Sequence, residues 1–167
     1  MIAENIKMDV NELVKRANVI KNKGKVDLSS DEDLSIALMN LISIEEHMYF
    51  SAMKTNKKLY LDLLNQIREL RKNLLKEIVK EPEGEVWCIS KHLLGASMRL
   101  IEVGNKHLNK DENKAQMFFK NAFDLYTLFW SLNLKLIKSG EMIQTQGSSW
   151  KEKLANIVKK VIDCCKE

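Results

Sequence analysis

The sequence is poor in the residues that interrupt helices. Its 167 residues include one proline and six glycines. An all-β chain needs turn residues at short, regular intervals, so this scarcity excludes one. No apolar run reaches the roughly 18 residues that a helical membrane span requires. The first residues carry Glu4 and Asp9 and no apolar core, which argues against a secretory signal. Cysteine is limited to Cys88, Cys164 and Cys165. An odd number, two of them adjacent, is not a disulfide framework, so a reducing, cytoplasmic setting is expected. Also missing are a Gly-rich phosphate loop, a Gly-x-Ser-x-Gly elbow and a Cys-x-x-Cys pair. Their absence weakens the case for nucleotide-dependent or hydrolytic chemistry.

What remains is a chain 45% hydrophobic and 30% charged, with a net charge of +4. That composition is too apolar for a disordered chain. Residues 1–27 hold six basic and four acidic residues, and residues 148–167 hold five and three. The whole excess therefore sits at the two ends, and the middle is neutral. A nucleic-acid binder concentrates basic residues on one face. This distribution reads as solubility, and nucleic acid is the less favoured partner.

Apolar residues recur at helical spacing almost throughout. A first helix is expected over about Glu4–Lys23, with Ile6, Val10, Leu13, Val14, Ala17 and Ile20 on one face and Gly24 as its C-cap. Ser29 or Ser30 is expected to cap a second, which runs to about Lys54 with Leu34, Leu38, Leu41, Ile42, Met48, Tyr49 and Ala52 inward. A third follows from Lys58 to Lys80 and buries Tyr60, Leu63, Leu64, Ile67, Leu70, Leu74 and Ile78. Pro82 and Gly84 mark the firmest break. Further helices are expected at Glu85–Leu108 and Glu112–Ser139, and a last one at Trp150–Cys165. Long helices joined by short turns neighbour one another. The predicted fold is an all-α, antiparallel up-down-up-down four-helix bundle with extra N-terminal and C-terminal helices. Residues 1–138 form the bundle domain, 139–149 a polar linker, and 150–167 an amphipathic helix docking on the bundle or a partner.

Three histidines, His47, His92 and His107, invite a metal reading. The Glu-x-x-His pairs that hold di-iron centres in helical bundles are absent. His92 and His107 are about 22 Å apart along one helix axis and cannot share an ion. No catalytic residue, metal or cofactor is assigned.

Glu45 stands out, because it lies inside the apolar stripe of the second helix. A carboxylate there is costly unless paired. With turns centred near residues 55, 82 and 110, Glu45 is level with Gln66, Met98 and Phe123. Arg68, Arg71 and Arg99 then lie within one long side chain of it. A buried ion pair is the favoured reading, and a base or metal ligand is the alternative. On the fourth helix, Cys88, His92, Gly95, Arg99 and Glu102 follow at steps of three and four and share a face. Cys88 and His92 suit a zinc ligand pair or a thiolate–imidazolium pair, but two ligands are too few for zinc. Ser90, Ser97 and Gly104 form a small-residue stripe on another face. It permits close helix approach or leaves room for neighbours such as Phe129 and Trp130.

Phe118, Phe119, Phe123, Tyr126, Phe129 and Trp130 wrap more than one face of the fifth helix, which favours a subunit interface there. The last helix pairs Trp150, Leu154, Ile157, Val161 and Ile162 with Lys151, Lys153, Lys159 and Lys160. Docking on protein is favoured over lying on an anionic membrane. The expected function is that of a non-catalytic interaction or scaffold bundle, acting as a homodimer. One alternative is a metal-binding or enzymatic bundle using Glu45, His92 and Arg99. A nucleic-acid-associated helical protein is the other.

Overall fold

The computed structural model describes residues 28–80, 85–136 and 155–156. Among them the fold is all-helical, with four long helices and no strand. They are α1 (Ser29–Thr55), α2 (Lys58–Ile78), α3 (Val86–His107) and α4 (Glu112–Asn133). The expected first helix, the Pro82–Gly84 break and the 139–149 linker lie outside the described residues. So does the last helix apart from Ala155 and Asn156, which are helical.

Local chemistry explains three of the eight helix ends. Asn56 ends α1 in the left-handed conformation, with φ 51°, and its N–H bonds to the Ala52 carbonyl. Asparagine accepts that backbone more readily than most residues. Asp111 caps α4, its side chain accepting from the Lys114 N–H at 3.0 Å. Two expectations need correction. The N-cap of α1 falls on Leu28, not on Ser29 or Ser30, and no side-chain cap bond forms there. The helix expected to reach Ser139 stops at Asn133. Lys135 turns left-handed at φ 55°. Its N–H then bonds to the Leu132 carbonyl, and the Leu136 N–H to that of Ser131. This is a Schellman closure, and the fully buried Leu136 side chain anchors it. Lysine replaces the usual glycine, so the sequence gives no stop signal.

The helices pair as two hairpins. Between α3 and α4, Ser90 meets Asn133, Ser97 meets the Ala122 carbonyl, and Gly104 sits against Phe119. Numbers fall along one helix as they rise along the other. The small-residue stripe is therefore the seam of this hairpin. A β-carbon on Gly104 would stand 2.5 Å from the Phe119 ring. Gly104→Ala gains about 1 kcal/mol of helix propensity, but overpacking at a filled site costs about 1–3 kcal/mol. Net destabilisation is expected in thermal melts. Adding Phe119→Leu should recover most of the loss.

The hairpins meet chiefly through α1 and α3. A β-carbon on Gly95 would be 3.2 Å from the Ile42 side chain, and Arg99 pairs with Glu46. Here numbers rise together, so the α1–α2 and α3–α4 turns lie at the same end. Helix α1 also reaches α4, where the Ser35 and Tyr126 hydroxyls are 2.7 Å apart.

The core occupies one end only. Leu38, Met39, Leu75, Val79, Leu93, Leu94, Phe129, Trp130, Leu132 and Leu136 form it. The partly buried residues packed on it lie in the same half or at its edge, from Leu34 on α1 and Leu74 on α2 to Ile42 and Met98 near the mid-height of α1 and α3. The half nearer the two turns buries only small hydrophobic residues, namely Ala52, Ala115 and Ala122. Two residues expected inward are exposed: Tyr49 (48%) in that half, and Leu70 (47%) beside Arg71 on α2. At Tyr49 the physical reason is that the apolar core stops short of its level.

Candidate functional site

Where the core ends, a layer of charge begins. Glu45 and Glu46 are consecutive on α1, so their side chains diverge by about 100° around the helix. Each takes an arginine from a different helix. Arg71 on α2 donates through Nε to Glu45 Oε1 at 2.6 Å and through Nη2 to Oε2 at 3.3 Å. Arg99 on α3 lies with Nη2 2.7 Å from Glu46 Oε2. The first pair ties α1 to α2, and the second ties α1 to α3.

The two pairs differ in environment. Arg71 is only 3% exposed and Glu45 15%. Planar fork-to-fork geometry of this kind is the strong form of an Arg–carboxylate bond. It neutralises a guanidinium that would be very costly to bury alone. Arg99 and Glu46 are about half exposed, where such a pair contributes little. Both oxygens of Glu45 are engaged by Arg71.

Side-chain direction selects Arg71 over Arg68. Helical side chains lean toward the N-terminus of their own helix. Glu45 leans away from the turns, and Arg71 leans toward them, so the two converge. Arg68 leans further toward the turn and stays exposed. Gln66, set level with Glu45 by a turn centred on residue 55, is likewise exposed. The partner lies five residues further along α2.

The other candidates separate. Cys88 is an exposed free thiol and His92 is exposed, while Glu102 is half-buried. Of the face they share, Gly95 and Arg99 meet α1. His107 stacks on Phe118, with ring centroids 5.6 Å apart, and His47 is exposed. Among the described residues no group of three His, Cys, Asp or Glu side chains is placed to hold a metal ion. The Glu69 carboxyl is held below its ordinary range chiefly by a hydrogen bond from Lys72. It is a surface pair within α2.

Sequence reasoning passed over Glu46, although two adjacent glutamates on one helix must address two neighbours. It also missed the apolar surface beyond the charged layer. Ile36 and Leu70 apart, every large hydrophobic residue exposed among the described residues lies in the half nearer the turns. On α1 these are Ile44, Tyr49, Phe50 (56%) and Met53 (59%). Leu59 (61%) and Leu61 follow on α2, with Leu108 after α3 and Met117 on α4. The helix expected to form the subunit interface thus contributes only Met117. Its aromatic residues Phe129 and Trp130 are instead core. The available signal was on α1, whose second half carries apolar residues around most of its circumference.

No helix among the described residues is long and apolar enough to cross a membrane. Comparison with protein-family models, curated proteins and solved structures finds no match to this chain.

Proposed function

We propose that this chain is a non-catalytic helical interaction module that works as a homodimer through the half nearer its turns. The observation that carries the reading is the concentration of exposed Tyr49, Phe50, Met53, Leu59 and Leu61 beyond the charged layer. Fully burying one such side chain is worth about 1.5–3 kcal/mol. Exposed apolar residues concentrated at one end in this way support an interaction surface. The paired charges beside it suit a binding module, since Glu45 and Arg71 engage each other and hold the helices in register.

In this reading the bundle is up-down-up-down, residues 1–138 form its domain, and the segment 150–167 docks on protein. A cytoplasmic setting fits the exposed free thiol of Cys88. Light scattering on the full chain should give twice the 19.3 kDa chain mass at micromolar concentration. A mass of one chain across the accessible concentration range would overturn the dimer. A mobility shift with nucleic acid that weakens steeply with salt would replace it with the nucleic-acid reading.

A further inference from the structure

The middle of the chain is neutral in sequence, but the fold sorts its charges along the bundle. Both turns lie at one end. They bring Lys54, Lys57 and Lys58 from the α1–α2 turn together with Lys106, Lys110 and Lys114 from the α3–α4 turn. All six are exposed, and among the described residues none of them enters an ion pair. The acids at this end are Asp62, Asp111 and Glu112. The opposite end opens with the run Asp31–Glu32–Asp33 and adds Glu77 and Glu85, against Lys76, Lys80, Lys91 and Lys135. One apolar side chain stands among the turn lysines. Leu108, between Lys106 and Lys110, is 49% exposed. Neither it nor any of the six lysines belongs to the five residues assigned to the dimer.

We propose that this basic end rests on an anionic lipid surface. Three observations select that partner. The first is charge. The ammonium groups can face a negative surface without giving up an internal pair. Each lysine held near such a surface strengthens binding about fivefold. The acidic run stands at the far end, so one orientation of the bundle is favoured.

The second is residue type. The charges at this end are all lysines, whereas Arg68, Arg71 and Arg99 lie further along α2 and α3. Lysine is a hydrated point charge that suits a diffuse layer of headgroups. Reading of nucleic-acid bases relies most often on the two-pronged guanidinium.

The third is shape. The turns are short, covering residues 56–57 and 108–111, so the bundle presents the blunt end of four helices. A duplex is read by the side of a helix or a ribbon entering a groove. A blunt end meets a plane instead, and Leu108 can dip into the headgroup boundary between its lysines. No described helix is long and apolar enough to cross a membrane, so this contact is peripheral.

Co-sedimentation of the full chain with vesicles tests the proposal. Vesicles of phosphatidylcholine with about one-third phosphatidylglycerol should bind it, vesicles of phosphatidylcholine alone should not, and added salt should release it. Lys57→Gln/Lys110→Gln/Lys114→Gln draws on both turns and should weaken binding about a hundredfold. Lys76→Gln/Lys80→Gln/Lys91→Gln, at the far end, removes the same charge and should change it by less than about threefold. Leu108→Ser should weaken binding with no change of charge. Failure of the unaltered chain to bind the anionic vesicles would overturn the proposal. So would binding that the turn variant retains, or an equal loss in both lysine variants. Tighter binding of duplex DNA than of these vesicles, lost in the turn variant, would replace lipid with nucleic acid. The dimer is read from mass without lipid, so a monomer that binds vesicles ends only that reading, and a dimer that ignores them ends only this one.

Discussion

Glu45→Gln is expected to destabilise the fold by about 3–5 kcal/mol, the cost of leaving a buried guanidinium without its counter-charge. Arg71 is the reason, being 3% exposed with Nε and Nη2 both committed to this carboxylate. Neutralising one partner removes the attraction and keeps the desolvation. Replacing both together, as Glu45→Leu/Arg71→Met, should restore most of the loss or exceed it, because well-packed apolar residues substitute for a buried pair without that penalty. Urea titration of the single and double variants reads both outcomes. A single variant within about 0.5 kcal/mol of the unaltered chain would show that the pair does not hold the helices together.

Trp130→Ala should be comparably severe, costing about 3–5 kcal/mol as a cavity opens in the core. Trp130 is 1% exposed and stands edge-on to Phe129 and Tyr126, with centroids 5.2 and 6.2 Å away. Its Nε1 is buried with no hydrogen-bond partner. Trp130→Phe removes that unpaired donor and keeps most of the ring volume. It should therefore cost far less than the alanine variant. Thermal melts in which Trp130→Phe and Trp130→Ala fall equally would mean that packing volume is not what this residue contributes.

Helix positions were legible because their ends use ordinary chemistry. Asp111 is a strong N-cap residue, and Asn56 sits where a left-handed residue is needed. The end of α4 was illegible because Lys135 adopts that same conformation without glycine or asparagine to announce it. At the site, Glu45 was legible as a carboxylate in an apolar stripe, but its partner was not. Level counting treats side chains as perpendicular to the axis, whereas opposite leaning brought Arg71 to Glu45 and carried Arg68 away. The exposed surface was hidden for a different reason. An apolar stripe implies burial only where another element covers it, and coverage is a property of the assembled helices. Tyr49 and the core aromatic residues Phe129 and Trp130 look alike in sequence. They differ in whether they lie above or below the layer of Glu45, Glu46, Arg71 and Arg99.

The turn-proximal half as a dimer surface is tested most directly by sedimentation equilibrium on Phe50→Asp/Met53→Asp beside the unaltered chain. Both residues are more than half exposed, at 56% and 59%, so the fold itself should tolerate the change. The expected result is a dimer for the unaltered chain and a monomer for the variant, with helical circular dichroism retained. An unchanged dimer in the variant would place the interface elsewhere and contradict the assignment.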